Sequence, residues 1–115
     1  MKVVERTNPQ TILKQCELYG LTTAALASGL AVHPKTIERW REGGVDPNEA
    51  GRRRLEKLGA ILRLAAGLLK PEACREWFHS PNQTLGGDRP LDVLSRGELD
   101  QVRNVLGLWQ WGIYS

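Results

Sequence analysis

The stretch that decides the fold runs Leu26-Ala27-Ser28-Gly29-Leu30-Ala31-Val32-His33-Pro34-Lys35-Thr36-Ile37-Glu38-Arg39-Trp40. A helix-turn-helix crosses two short helices at near a right angle over three or four linking residues. That crossing needs a small residue where the helices touch and apolar residues at fixed offsets around it. Ala27 is the small contact residue, and Leu26, Leu30, Val32, Ile37 and Trp40 are the apolar set. Ala31 stands at the turn position where glycine is favoured for its left-handed tolerance. It either bears that conformation at a cost of up to about 1–2 kcal/mol, or the turn takes a slightly different form.

The second helix of such a motif lies in a major groove with its first residues facing bases. Those positions are His33, Pro34, Lys35, Thr36, Glu38 and Arg39. Arg39 can grip a guanine edge with two hydrogen bonds, and Lys35 can reach base or phosphate. Thr23, at the start of the preceding helix, and Arg41 are placed for phosphate contacts. The bland reading is a three-helix core whose Lys and Arg form a solvated face.

Outward from this motif the pattern stays helical, and no alternating strand pattern is present. On its amino side, Asn8 and Pro9 announce a helix to Tyr19, closed by Gly20, and Thr22 caps the first helix of the motif. On its carboxyl side, the motif stops at Gly43-Gly44, and a long helix covers about 48–69. Gly59 and Gly67 within it predict close packing against neighbours, since interior glycines otherwise cost about 1 kcal/mol each. A helix from Pro71 to Phe78, a turn-rich loop over 80–90, a short helix to Ser95 and a last helix from about Glu98 to Trp109 complete the reading. The fold class is all-α, with an N-terminal helix-turn-helix (1–46), then a long connecting helix and a small C-terminal helical region (47–115).

The chain has 115 residues, 41% hydrophobic and 25% charged, which is ordinary for a folded domain. At this length folding buries about 65% of the unfolded chain's surface, enough for a core without staples. No long apolar run and no signal-peptide pattern appear, so a cytoplasmic protein without a membrane span is expected. Cys16 and Cys74 lie far apart with no metal-ligand spacing and read as core residues, and no cofactor or metal is implied. His33 and His79 have no carboxylate or nucleophile beside them in sequence. Asp88 and Asp92 read as turn and helix-cap chemistry, so no catalytic residue is assigned. The net charge is +3. Residues 1–76 hold thirteen Lys/Arg against nine Asp/Glu, whereas 77–115 hold three against four and three of the four tryptophans. That asymmetry points to two surfaces with different partners.

The back region reads Trp77-Phe78 … Ser80-Pro81-Asn82 … Leu85-Gly86-Gly87 … Arg89-Pro90-Leu91-Asp92 and ends Trp109-Gln110-Trp111-Gly112-Ile113-Tyr114-Ser115. The dense apolar tip either folds back on the long helix or anchors a partner, since Trp and Tyr are favoured at interface hot spots. These motifs, in this order after the helix-turn-helix, resemble the Xre/MbcA/ParS antitoxins of type II toxin–antitoxin systems from about Leu21 onward.

The resemblance implies a non-enzymatic antitoxin that binds a cognate toxin, commonly of the RES type that degrades NAD. A related branch opposes toxins that ADP-ribosylate a target. It further implies operator DNA as a second partner, repression of its own operon, and a homodimer within a toxin–antitoxin complex. On this sequence it assigns Trp109, Trp111, Ile113, Tyr114 and Ser115 to the inhibitory end, and Asn82, Leu85, Gly86, Arg89 and Pro90 to the toxin-binding loop. The terminal carboxylate at Ser115 is then suited to basic groups that hold NAD phosphates. The competing reading is a stand-alone transcriptional regulator whose C-terminal half only dimerises.

Overall fold

The computed structural model describes residues 8–110, and these form seven α-helices with no strand among them. They are α1 (Pro9–Leu18), α2 (Thr23–Leu30), α3 (Pro34–Glu42), α4 (Glu49–Leu68), α5 (Pro71–Phe78), α6 (Pro90–Ser95) and α7 (Leu99–Gln110), with a 3-10 turn at Gln83–Leu85 before α6. The starts follow from local chemistry. Asn8, Thr22 and Asn48 each accept a hydrogen bond from a first-turn amide of the helix they precede, and α1, α3, α5 and α6 begin on proline.

Helix α4 is the axis of the molecule, with α1, α2, α5 and α7 packed on it. Its buried stripe is Leu55, Leu58, Ile61, Leu62 and Ala65, at helical spacing. A single apolar cluster extends from Ile12 and Leu13 in α1 through this stripe to Val102 and Leu106 in α7, and both cysteines lie inside it.

Two expectations about glycine need separating. Gly59 is packed as expected: a Cβ there would sit 3.3 Å from Ile12 Cδ1. Gly67 is not, because it lies on the outer face of α4 with nothing within 4 Å of where its Cβ would be. The tightest helix approach is elsewhere, at Gly29 of α2. A Cβ on Gly29 would land on the Leu94 carbonyl oxygen of α6, well inside van der Waals contact. Ser28 Oγ donates to the Ser95 carbonyl at 2.6 Å across the same seam. Helix α2 is thereby joined to α6, more than sixty residues away in sequence.

Candidate functional site

Helices α2 and α3 meet through residues 31–33. Ala31 is left-handed (φ 59, ψ 45), so the first of the two options for this turn is the one realised. The helix end closes with Val32 N–H donating to the Ala27 carbonyl at 2.9 Å and Ala31 N–H to Ser28 at 3.3 Å, the paired bonds of a Schellman ending. Arg54 of α4 adds a donor from Nη1 to the Leu30 carbonyl at 3.2 Å. Three groups therefore hold the turn whose alanine pays the left-handed penalty.

Along α3, Lys35 and Arg39 are exposed and make no ion pair among the described residues. Thr36 is half-buried. His33 caps α3, its Nδ1 accepting from Lys35 N–H at 3.0 Å, which places the proton of the neutral ring on Nε2. Thr23 and Arg41 are brought together: Arg41 Nη1 donates to Thr23 Oγ1 at 3.2 Å, tying α2 to α3. The Arg41 Nε is buried without a hydrogen-bond partner. Its charge pulls the nearby Cys16 thiol downward, but burial dominates and pushes that thiol up to about 12.

The back region is a tightly bonded turn. Asn82 accepts at Oδ1 from Thr84 N–H at 2.9 Å, and its carbonyl accepts from Leu85 N–H at 3.0 Å and Gly87 N–H at 2.9 Å. Gly86 and Gly87 are both left-handed (φ 72 and 92), with open space where a Cβ would be, so conformation and not crowding explains glycine there. Of the residues assigned to this loop, Gly86 is exposed and Asn82 and Arg89 are half-buried. Leu85 and Pro90 are buried and shape the loop from inside.

Asp88 and Asp92 hold turn and helix-start positions as expected. The Asp88 carbonyl accepts from Asn82 N–H at 3.0 Å, and Asp92 lies in the first turn of α6, hydrogen-bonded by the backbone of Arg89. Both are also ion-paired. Arg89 forks both oxygens of Asp92, at 2.8 and 2.9 Å, which holds the Asp92 carboxyl below the usual carboxylate range. Asp88 pairs with Arg96 at 3.0 Å, and Arg96 also reaches Glu98 at 3.4 Å. His79 bonds through Nε2 to the Gly20 carbonyl at 3.1 Å, and Arg75 donates to the Leu18 carbonyl at 3.1 Å, so α5 seals the end of α1. Trp109 is half-buried on α7. Trp111, Ile113, Tyr114 and Ser115 lie outside the described residues. Among the described residues no cluster of His, Cys, Asp or Glu is arranged to hold a metal ion, and no helix is long and apolar enough to cross a membrane.

Sequence reasoning missed Gly29, Ser28 and the Asp88–Arg96 pair. Gly29 had a signal, an interior glycine in a short helix. The ion pairs had none, because eight residues and a helix separate the partners.

The described residues are thus all-helical outside their turns, with an exposed basic α3 and a glycine-built turn ahead of α6. Residues 66–112 match the antitoxin Xre/MbcA/ParS C-terminal toxin-binding domain. Over this region the chain is similar to the Xre/MbcA/ParS-type antitoxins, in agreement with the resemblance its motifs carry. It is 28% identical over 96 residues to the "Probable mycobacterial cidal antitoxin Rv3188" of Mycobacterium tuberculosis, covering 84% of this chain and 82% of that one. It is 26% identical over 104 residues to the mycobacterial cidal antitoxin MbcA of Mycobacterium bovis, covering 90% of this chain and 92% of that one. Its fold is similar to a chain in the crystal structure of the M. tuberculosis MbcT–MbcA toxin–antitoxin complex. The TM-score is 0.70 at 25% identity, over 93% of this chain and 96% of that chain.

Proposed function

We propose that this chain is the antitoxin of a type II toxin–antitoxin system, acting in the cytoplasm without catalysis of its own. Its partner is a RES-type toxin that degrades NAD. The observation that carries this reading is the toxin-binding domain match over residues 66–112, within a fold similar to a chain of a toxin–antitoxin complex along nearly its full length. The loop of Asn82, Leu85, Gly86, Arg89 and Pro90 with Trp109 forms the docking base. Trp111, Ile113, Tyr114 and Ser115 enter the toxin's cleft and obstruct NAD. The two functions divide near residue 46: the part before it faces DNA, and the part after it faces toxin.

The α2–α3 pair is read as a helix-turn-helix that represses the operon. In support, Lys35 and Arg39 are exposed on α3 with no ion pair among the described residues, and His33 and Thr36 stand at its start. The Arg41–Thr23 bond orients the backbone-contacting edge. Homodimerisation pairs two such units for two half-sites.

Co-expression with the toxin encoded beside it tests the reading. The full chain should restore growth and intracellular NAD, and removing residues 112–115 should abolish protection while the chain stays folded. Full protection by the shortened chain overturns the tail mechanism. Continued NAD loss with no growth rescue overturns the antitoxin reading. For DNA, affinity for the operator should fall steeply between 50 and 200 mM salt. Arg39→Ala should cost about 1–3 kcal/mol on the cognate site. A salt-independent signal counts against operator binding.

A further inference from the structure

The C-terminal ends of α4 and α7 enclose an open groove of about 430 Å³. Its floor is Leu64, Leu68 and Gly67 of α4, and its walls carry Arg63 from α4 and Arg103 and Gln110 from α7. Both arginines are exposed, and neither makes an ion pair among the described residues. The nearest acid on α7 by helical spacing, Asp100, is engaged by Lys57. Two other surface grooves carry acids beside their basic residues. One sets Arg54 and Lys57 against Glu98 and Asp100, and another sets Arg75 against Glu72 and Glu76. The α4/α7 groove differs in holding two guanidinium groups and no acid among its described lining, beside Leu64 and Leu68.

Gly67 sharpens the point. A glycine inside a helix costs about 1 kcal/mol relative to alanine. Among the described residues nothing occupies the space its missing side chain leaves. The helix bears that cost without packing from any described residue in return, and the open space is the groove itself.

We propose that this groove docks an acidic segment of the toxin, its carboxylates on Arg63 and Arg103 and an apolar neighbour on Leu64 and Leu68. This rests on the reading of the chain as a toxin's partner. Gly67, Leu68, Arg103 and Gln110 lie within the matched toxin-binding domain, and Gln110 leads directly into Trp111. The partner is therefore held at two places, a charged groove and the aromatic end. The groove confers the salt-sensitive part of recognition, because long-range attraction between opposite charges weakens as ions screen it.

Isothermal titration of the toxin encoded beside this chain's gene, against the full-length chain at 50 and 300 mM NaCl, tests the proposal. The double variant Arg63→Glu/Arg103→Glu should bind at least tenfold more weakly at low salt and lose most of the parent's salt dependence. Gly67→Leu projects a side chain into the groove from a position whose Cβ meets no described atom within 4 Å. It should bind at least tenfold more weakly while its thermal midpoint stays level or rises, which separates occlusion from unfolding. Arg53→Glu, at the other end of α4, should bind as the parent does. If both groove variants bind like the parent, the groove is not a toxin contact and the antitoxin reading stands. Should they instead shift the monomer–dimer balance in sedimentation and spare toxin binding, a second copy is the occupant and the proposal falls. A parent chain that does not bind the toxin removes the antitoxin reading and the groove with it.

Discussion

Two turns lie back to back in this molecule and solve one problem with different residues. Helix α2 ends at Ala31 and α6 ends at Gly97. Both residues are left-handed (φ 59 and 86), and both helices close with the same crossed pair of bonds. Around Gly97 these are Gly97 N–H to Leu94 at 2.9 Å and Glu98 N–H to Val93 at 3.2 Å. A Cβ at Gly97 would come no nearer than 3.6 Å to another residue, the Gly29 carbonyl, so only its backbone angle requires glycine. Ala31 occupies the same kind of position against its steric preference. The difference shows that a left-handed alanine persists where neighbours over-determine the turn. Here the Arg54 bond to Leu30 and the packing of Val32 at the core edge supply that constraint.

The comparison breaks first at the residue between the two turns. Gly29→Ala forces its methyl into the Leu94 carbonyl, a backbone atom with no room to rotate away. It should cost about 3 kcal/mol in urea unfolding, with loss of toxin binding accompanying loss of structure. A cost below about 1 kcal/mol would show that the α2–α6 seam is soft. Gly97→Ala tests the glycine turn itself. It should cost about 1–2 kcal/mol, the left-handed penalty without a clash.

Ala31→Gly is the reciprocal exchange and should stabilise the chain by about 1 kcal/mol, the relieved strain exceeding the added freedom of the unfolded chain. In calorimetry this corresponds to a rise of roughly 4 °C in the thermal midpoint for a domain of this size. A fall instead would mean that the alanine is not strained.

The smallest effect concerns acid. The Asp92 carboxyl is held below its ordinary value, chiefly by the hydrogen bonds from Arg89. The unfolded chain therefore takes up the proton first as pH falls. The stabilisation from this pair is complete above the ordinary carboxylate range and lost below it, as pH drops through the folded value. Asp92→Asn should lower the thermal midpoint slightly at neutral pH, and the gap should close in acid. A gap that is independent of pH would remove the ion pair as its cause. The pair is nearly half exposed, so solvent screening keeps its contribution small.

Local signals in the chain were sufficient for every helix. Caps at Asn8 and Thr22, prolines at 9, 34 and 71, and glycines at 20, 43 and 97 act within a few residues of themselves, so their meaning survives without knowledge of the fold. The same holds for the exposed Lys35 and Arg39, which helical spacing alone puts on the outer face of α3. The short 3-10 turn at Gln83–Leu85 was hidden inside a loop of turn formers, since it too depends on bonds from Asn82 that no periodicity announces.

What lay beyond the chain's own order were contacts between elements far apart in it. Gly29, Gly59 and Gly67 look alike as helix interiors. One faces a backbone carbonyl of α6, one an isoleucine of α1, and one an open groove, and that distinction exists only once the helices are stacked. Thr23 and Arg41 were each expected from the sequence to suit phosphate contacts, and their bond to each other became visible only with the crossing of α2 over α3. Periodicity specifies which face of a helix is apolar, because side chains repeat every 3.6 residues. It is silent on which other face is met, because that is settled by shape and packing over the whole core.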